Sequence, residues 1–479
     1  MVPRQRITGS GCLPPELSGS AFRCASQKSS ATGSMHGSRT RAGPIDLETS
    51  LVRGSLASYL PRRLALLGGS TRWSDCAEAL RYLSRPSQLV QGAKINEYEE
   101  AFAGTVGVKY AIGFASGRVG LYGLLRALGV DEGAEVLLSV PSHIVVANAI
   151  RYTGARPVYV DCRLEDYNID LAEAERRITP RSRVLLLQHT FGVPVEMDTA
   201  LAFARRHNLV VIEDCVHALG ARYDGRPVGT FGHAAFFSTE ETKTISTVMG
   251  GMAVTNDPQL ASRMRTFQAS CSLPRMSLSA RYLMKFVVYY MLTEPYVHRF
   301  ARVAYERLGH RNPLPVPTTL EERRGQRPRD YERRLSNGQA ALGLSQLRSL
   351  QTNLQHREFV ANAYEDRLSS CGLRLPRAPA KAEPSFVRYP VWVEDRPTVI
   401  RALAPHAVVG TWFTSVLEEA ESPEAAGYAP GSCPHAEQAA QHLINLPTHS
   451  RVSERDVKML ATALTRAVSS KSASFKHRS

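Results

Sequence analysis

From about residue 94 the chain alternates between short apolar runs and segments in which apolar residues recur every three or four positions. Short apolar runs are typical of strands buried on both faces, and the three-to-four spacing is typical of helices that cover a sheet. The predicted strands span residues 135–140, 157–161, 184–188, 209–214, 234–238 and 252–255. The predicted helices span residues 96–103, 118–128, 145–152, 171–177 and 199–207. This alternation predicts an α/β fold with a mostly parallel central sheet.

The alternation stops over residues 266–335. Residues 280–308 have helical spacing that Pro295 interrupts, and residues 311–333 are rich in proline and arginine and predict a loop. A helix, a strand and a final helix are predicted beyond them, at residues 337–366, 387–392 and 453–468. We therefore predict a basic disordered tail, a large α/β domain, a helical and loop insertion, a small C-terminal α+β domain and a second disordered tail, at residues 1–60, 61–265, 266–335, 336–468 and 469–479.

Composition changes this picture at the two ends of the chain. Residues 1–60 are rich in serine, glycine and arginine and lack apolar periodicity, so we expect disorder there. Their composition is similar to that of an organellar transit peptide, and a start at Met35 accounts for it equally well. Residues 1–60 and 466–479 together hold eight of the fifteen net positive charges. The body is therefore only moderately basic, and we expect no nucleic-acid partner.

Hydropathy and cysteine spacing indicate neither a membrane span nor a metal site. The apolar run at 286–292 has seven residues, far short of the roughly 20 that cross a bilayer. The eight cysteines include no Cys-x-x-Cys pair, which favours reduced thiols in a cytoplasmic protein that binds no metal. We expect the aromatic residues of 280–308 to lie in the core or a subunit contact, with association with a membrane surface as the alternative.

Polar residues follow several apolar runs at positions where α/β proteins bind ligands. Asp214 ends a predicted strand, and open α/β sheets bind ligands at the carboxyl ends of their strands, although an aspartate there also caps helices. Ser238 ends another strand and Lys243 follows five residues later. A lysine beside a strand-end carboxylate is a candidate nucleophile, whereas a lone loop lysine is usually solvated. Ser116 and Gly117 open a helix, where backbone N–H groups bind phosphate or simply cap.

In this order and spacing, the residues resemble those of fold-type-I pyridoxal-phosphate enzymes, and specifically the DegT/StrS-like sugar aminotransferase family. Further segments similar to that family span residues 159–161, 167–170, 191–198, 211–221, 336–344 and 445–449. The resemblance covers residues 90–467. It implies a large cofactor-binding domain, a smaller C-terminal domain and a homodimer with active sites at the subunit interface.

The resemblance also implies a role for each candidate residue. Lys243 would attach pyridoxal 5'-phosphate and move the substrate proton, and Asp214 would keep the pyridinium nitrogen protonated. His217 would donate to the phenolic oxygen of the cofactor. His143 falls at the ring-stacking position, and a polar residue near a helix is the equally weighted alternative. The phosphate would be held by Ser116, Gly117, Arg118 and Ser238.

Three positions depart from the family pattern. Arg118 replaces a threonine, which is tolerable because the phosphate contact there is largely through backbone, and the guanidinium is itself a phosphate-binding group. Met249 replaces an acidic residue before the Gly250-Gly251 pair. Glu332 falls where the family has an asparagine that enters the neighbouring subunit's site. A carboxylate there would repel phosphate, so either the loop is realigned or this contact is missing.

We therefore expect an aminotransferase that moves an amino group from glutamate or glutamine to the keto group of a nucleotide-linked sugar, in polysaccharide or antibiotic biosynthesis. A related branch of the family replaces the lysine with histidine and dehydrates its sugar, so Lys243 favours transamination. Two alternatives stay open. The acceptor would be a keto-cyclitol or another ketone in the first, and the chain would be a cofactor-binding regulator without catalysis in the second.

Overall fold

The computed structural model describes residues 62–66, 70–307 and 318–476. The predicted tail at 1–60, the last residue of the predicted 280–308 helix, residues 311–317 of the predicted loop and residues 477–479 of the second predicted tail lie outside these ranges. No helix in the described part of the chain is both long enough and apolar enough to cross a membrane.

The strands form one large sheet and three small ones. They are β1 (Tyr110–Phe114), β2 (Glu135–Ser139), β3 (Ser142–His143), β4 (Arg156–Val160), β5 (Ser182–Gln188), β6 (Val210–Asp214), β7 (Arg222–Tyr223), β8 (Arg226–Pro227), β9 (Ala234–Ser238), β10 (Gly251–Thr255), β11 (Ala382–Glu383), β12 (Tyr389–Trp392), β13 (Leu417–Glu418) and β14 (Leu443–Leu446). The large sheet has the order β1-β10-β9-β6-β5-β2-β4. Strand β10 is antiparallel to both neighbours, and the other neighbouring pairs are parallel. The predicted α/β class with a mostly parallel sheet is confirmed.

The helices cover both faces of this sheet and build the C-terminal part. They are α1 (Trp73–Leu83), α2 (Lys94–Val106), α3 (Gly117–Ala127), α4 (Ile144–Arg151), α5 (Leu171–Arg177), α6 (Met197–Arg206), α7 (Pro258–Ser270), α8 (Met276–Leu292), α9 (Pro295–Arg307), α10 (Leu320–Arg323), α11 (Asn337–Leu347), α12 (Leu350–Leu368), α13 (Arg396–Leu403), α14 (Pro434–His442) and α15 (Glu454–Lys476). The predicted strands and helices of the large domain are found within a few residues of their expected bounds. The sequence analysis missed β1, α1 and α7, and in the C-terminal part it missed α13, α14 and β14 as well as the two-residue strands.

The middle strands are apolar throughout because each face of the sheet has its own core. On β5, Leu186 packs with side chains of α3 and α4 in one cluster of buried residues. Its neighbours Leu185 and Leu187 point to the opposite face and pack with α6 in another cluster. A strand covered on both sides cannot alternate apolar with polar residues, which explains the continuous runs read from the sequence.

The insertion contains more structure than the sequence predicted. The break at Pro295 is confirmed, because α8 ends at Leu292 and α9 begins at Pro295. Phe286 is buried whereas Phe300 is 70% exposed. The predicted 311–333 loop contains α10, whose first turn is held by a reciprocal cap: the Thr319 hydroxyl accepts the Glu322 N–H, and the Glu322 carboxylate accepts the Thr319 N–H. The loop prediction is therefore wrong over α10.

The C-terminal part packs β12 and β14 against α12, α13 and α15. The single helix predicted over 337–366 is wrong, since α11 ends at Leu347 and α12 begins at Leu350. At this break the Ser349 hydroxyl donates to the Gln346 carbonyl, which provides the local hydrogen bond that a continuous helix would otherwise make. The final helix continues beyond the predicted 453–468 to Lys476.

The contact between β10 and the start of α3 should tolerate no side chain at Gly251. A Cβ there would lie 2.5 Å from Gly117 Cα, which is backbone and has little freedom to move. We expect Gly251→Ala to lower the free energy of unfolding by about 3 kcal/mol, measured by urea denaturation. Gly104→Ala is the matched control, because that Cβ would meet nothing within 4 Å on α2. It should be neutral or stabilise by up to ~1 kcal/mol; equal stability of the two variants would contradict the packing argument.

Candidate active site

A cavity of about 470 Å³ lies at the carboxyl ends of the parallel strands. All eight residues singled out from the sequence line it, namely Ser116, Gly117, Arg118, His143, Asp214, His217, Ser238 and Lys243. Met249 lines it too, whereas Glu332 does not. The edge position follows from sheet topology, because neighbouring parallel strands end on the same side.

Asp214 ends β6 with its carboxylate almost completely buried. Its Oδ1 accepts the Val216 N–H at 3.1 Å. Its Oδ2 is buried and accepts no hydrogen bond within the described part of the chain. Burial raises the pKa of Asp214 to about 7, against the lowering effect of the Val216 N–H and the Lys243 charge. A buried carboxylate oxygen without a donor calls for an explanation, and its position in the cavity wall makes it available to a ligand.

Lys243 lies on a loop whose two ends are joined by hydrogen bonds between Thr239 and Thr247. The Thr247 N–H donates to the Thr239 carbonyl at 2.8 Å, and the two hydroxyls are 2.7 Å apart. The Lys243 Nζ is 4.3 Å from the centroid of the Trp412 ring. Burial lowers the pKa of this amine to about 8, and the Arg388 charge adds to the shift while Glu240 opposes it. A large fraction of Lys243 is thus an uncharged nucleophile at mildly alkaline pH.

Two histidines border the cavity in different ways. The His217 ring lies between Trp412, 4.7 Å away at an interplanar angle of 19°, and Phe191, 6.3 Å away at 12°. Burial holds the pKa of His217 well below its usual range, so the ring is neutral. His143 caps α4, since its Nδ1 accepts the Val145 N–H at 3.3 Å, and its Nε2 is 3.5 Å from Glu419. The helix-associated polar role weighed for His143 is present, and stacking stays a prediction.

The first turn of α3 lines the cavity. Ser116 is the N-cap residue, but its side chain makes no cap hydrogen bond. A Cβ on Gly117 would lie 3.0 Å from the Phe237 carbonyl oxygen and 3.3 Å from Ser238 Cβ. The free N–H groups and the positive end of the helix dipole make this turn suitable for an anion. The Ser238 hydroxyl accepts the Glu240 N–H at 3.3 Å and faces the same space.

The Arg118 guanidinium binds a carboxylate of the same chain. Its Nη1 lies 2.6 Å from both carboxylate oxygens of Glu322, and both side chains are largely buried. Asn148 on α4 donates to the Glu322 carbonyl at 2.6 Å, which fixes α10 over the cavity. Glu332 instead forms an ion pair with Arg327. Within this chain, therefore, the charge of Arg118 is neutralised by α10, and Glu332 is turned away from the helix start.

The sequence analysis missed Trp412 and Arg388, which also line the cavity. The Arg388 guanidinium carbon is 3.6 Å from the centroid of the Trp412 ring. Both residues come from the C-terminal part, far along the chain from Lys243. The available signal was an arginine directly before the apolar strand β12, where a charged residue is unusual.

Three side-chain atoms that could bind a metal ion lie within 4.8 Å of one another next to Asp214. They belong to His189, Glu213 and Cys215. The Glu213 carboxylate already accepts three backbone N–H groups at 2.7 or 2.8 Å, from Gly229, Phe231 and Gly232. The His189 Nε2 adds a further contact at 3.2 Å. The group therefore ties the 229–232 loop to β6.

The chain is similar to characterised aminotransferases over most of its length. The sequence model of the DegT/DnrJ/EryC1/StrS aminotransferase family matches residues 73–465. The GDP-perosamine synthase of Caulobacter vibrioides is 32% identical over 381 residues, which are 78% of this chain and 90% of that protein. The UDP-N-acetyl-3-dehydro-alpha-D-glucosamine 3-aminotransferase of Acidithiobacillus ferrooxidans is 28% identical over 413 residues, 86% of this chain and 96% of that protein. The crystal structure of S. venezuelae DesV has a TM-score of 0.63 and 28% identity, covering 81% of this chain and 94% of that one.

The lowered pKa of Lys243 should be visible in its chemical reactivity. In cofactor-free protein we expect trinitrobenzenesulfonate labelling of Lys243 to rise with a midpoint near pH 8, because burial favours the neutral amine. Lys285 is the control, since its ion pair with Glu241 at 2.9 Å favours the charged form. Peptide mass spectrometry resolves the two sites. Identical pH profiles for both lysines would contradict the described environment of Lys243.

The Arg118–Glu322 pair should be strongly coupled. Glu322→Gln leaves a buried guanidinium without its counter-charge, and we expect a loss of about 3 kcal/mol in the free energy of unfolding. Glu321→Gln, one residue away and exposed, should change it by less than ~0.5 kcal/mol. The double variant Arg118→Met/Glu322→Met should recover most of the loss, because neither charge stays buried alone. Additive losses in the double variant, measured by urea denaturation, would argue against the pair.

Proposed function

The chain belongs to the DegT/DnrJ/EryC1/StrS aminotransferase family and depends on pyridoxal phosphate, and we propose that it transfers an amino group from glutamate or glutamine to the keto group of a nucleotide-linked sugar. The observation that carries the proposal is the convergence of the Lys243 amine, the Asp214 carboxylate and the first turn of α3 on one cavity. The names of the Caulobacter and Acidithiobacillus relatives refer to GDP- and UDP-linked sugars, which supports a nucleotide-linked acceptor here.

The residues of the cavity fit pyridoxal 5'-phosphate at each end of that molecule. The unpartnered Oδ2 of Asp214 is suited to a protonated ring nitrogen. At the other end, the α3 N-terminus offers backbone N–H groups to a phosphate, and Gly117 allows this turn to lie close to Phe237 and Ser238. We assign the phosphate to this turn and Ser238, the phenolic oxygen to His217, and the covalent attachment to Lys243. When bound, the cofactor supplies an electron sink that stabilises negative charge on the substrate carbon.

Side chains of the cavity are suited to transfer the substrate proton, to donate a hydrogen bond to the cofactor and to exclude water. With its pKa lowered to about 8, Lys243 is suited to accept and return the proton of the substrate carbon. Because His217 is neutral, it can donate a hydrogen bond to the phenolic oxygen without adding its own positive charge to that of Lys243. The faces of Trp412, Phe413 and Phe236 line the cavity with apolar surface, which limits the access of water.

We further propose a homodimer in the cytoplasm. Among the residues the structure describes, eight of the fourteen large hydrophobic side chains that are exposed lie on α8 and α9. This concentration supports a contact with a second copy, the expectation for the 280–308 segment. The described cysteines are unpaired, which is the state that a reducing compartment maintains.

Absorbance and borohydride trapping test the cofactor assignment. Purified wild-type protein should be yellow, and borohydride should fix the cofactor to the peptide that contains Lys243. Lys243→Ala should be inactive and trap nothing, whereas the surface control Lys381→Ala, whose amine pairs with Asp198, should match wild type. Full activity of Lys243→Ala would refute the assignment.

A panel of acceptors tests the substrate class in the same preparation. L-glutamate or L-glutamine should bleach the yellow form, and nucleotide-linked ketosugars should restore it with release of an aminosugar identified by mass spectrometry. Restoration only by keto-cyclitols would replace the acceptor class. Cofactor binding without any bleaching, together with salt-sensitive DNA binding, would favour a regulator instead.

A further inference from the structure

Two carboxylates in the cavity wall, besides that of Asp214, have an oxygen without a hydrogen-bond donor. They belong to Glu240 and Glu419, which both line the cavity. Within the described part of the chain, Glu240 Oε1 and Glu419 Oε2 are buried and accept no hydrogen bond. Glu241 differs, because its carboxylate forms an ion pair with Lys285 at 2.9 Å. A buried polar atom without a partner costs free energy, so both of these oxygens call for a ligand.

Glu240 is held rigidly beside Lys243. The residue is only 8% exposed. Its Oε2 accepts the Thr242 N–H at 3.0 Å and the Thr242 hydroxyl at 2.5 Å, and its carbonyl accepts the Lys243 N–H at 3.0 Å. The charge of Glu240 acts on the side chains of Lys243 and Arg388. The carboxylate therefore has cations around it, whereas its Oε1 keeps its full capacity to accept hydrogen bonds.

Glu419 lies on a strained turn between β13 and α10. Its backbone φ is 64°, in the left-handed region that glutamate rarely adopts. On one side, Glu418 lies opposite His143 in the pairing of β13 with β3. On the other side, the Glu421 N–H donates to the Arg323 carbonyl at 2.9 Å. Such strain persists only where the surrounding structure fixes it, and it is concentrated at binding sites.

The Glu419 carboxylate is charged but has cationic surroundings. Its Oε2 lies 3.5 Å from His143 Nε2. Burial raises the pKa of Glu419, and the contact with His143 opposes this effect. Thr318 and the charge of Arg323 oppose it further, so the pKa of Glu419 lies below its usual range. Glu419 and Glu240 thus offer acceptor oxygens beside positive groups, a setting that suits a neutral O–H donor better than a second cation.

We propose that Glu240 and Glu419 bind hydroxyl groups of the acceptor ring, so that the enzyme selects a hydroxylated ring over a deoxygenated one. The inference rests on the proposed aminotransferase function and extends it to the acceptor. An ionised carboxylate accepts hydrogen bonds and cannot donate them, so its partner must carry an O–H or N–H group. Of the two substrates, the sugar is rich in hydroxyl groups, whereas the amino donor brings a carboxylate that these two would repel.

Matched acceptors test the assignment in the second half-reaction. Holoenzyme is first bleached with L-glutamate or L-glutamine, and recovery of the yellow form is then followed with a nucleotide-linked ketosugar or its monodeoxy analogues. We expect wild type to favour the hydroxylated acceptor about 100-fold over at least one analogue, because that analogue leaves a buried carboxylate without its donor. The ratio of two acceptors cancels any change in the reactivity of Lys243.

Substitution of each glutamate should reduce this preference. Glu419→Gly removes the carboxylate and suits the left-handed backbone, so we expect it to fold at least as stably as wild type. It should lower the preference at least about tenfold, and so should Glu240→Gln, since each loses a hydrogen bond to a charged acceptor. Glu421→Gln is the matched control and should keep the wild-type ratio, because its carboxylate pairs with Arg324 outside the cavity.

Calorimetry with nucleotide-linked hexoses that have no keto group gives a readout without turnover. Wild type should bind the hexose about tenfold more tightly than the matching deoxyhexose, and Glu419→Gly or Glu240→Gln should remove this difference. Equal rates and equal binding of hydroxylated and deoxy compounds by wild type would overturn the assignment. An unchanged preference in both variants would also overturn it, as would a preference for a ring with an amino group in place of the hydroxyl. Discrimination in calorimetry by protein that no amino donor bleaches would instead refute the aminotransferase function.

Discussion

Burial of opposite charges at one sheet edge is the constraint on which the site depends. The Asp214 carboxylate and the Lys243 amine are both removed from water, so each has its pKa shifted toward neutrality, to about 7 and about 8. Such an arrangement costs folding free energy unless bound ligands compensate it. The surrounding fold must therefore be rigid, and the two-sided core around β5 and β6 provides that rigidity.

Close backbone contacts connect this core to the anion-binding turn. Gly251 of β10 lies directly against the start of α3, and Gly117 lies against Phe237 and Ser238 of β9. Two glycines thus allow the helix to approach the sheet closely enough for its N–H groups to face the cavity that Asp214 and Lys243 share. Only glycine fits at these two positions, because any other residue would place a Cβ in the contact. The two glycines are therefore a strong signal in the sequence.

The site residues that were predicted can be recognised from their neighbours in the chain. Those that were missed depend on contacts with residues that are distant in sequence. Asp214 and Ser238 end apolar runs, so local pattern and sheet topology together place them at one edge. Strand β1 escaped prediction because its sequence Tyr-Ala-Ile-Gly-Phe contains small residues and a glycine, and α7 escaped because it buries only three apolar side chains. Arg388 and Glu322 could not be assigned at all, since their partners are distant in sequence and converge only in the fold.

Arg118 and Arg388 show how the positions of carboxylates give two buried arginines different surroundings. Both guanidinium groups are buried in the wall of the same cavity. Glu322 binds Arg118 with both of its oxygens, so this charge serves to hold α10 in place. Glu240 and Glu418 lie near Arg388, but each accepts the N–H and the hydroxyl of a threonine and neither accepts a hydrogen bond from Arg388. Burial alone does not separate these two arginines, because the difference lies in which carboxylate the fold brings within hydrogen-bonding distance of each guanidinium.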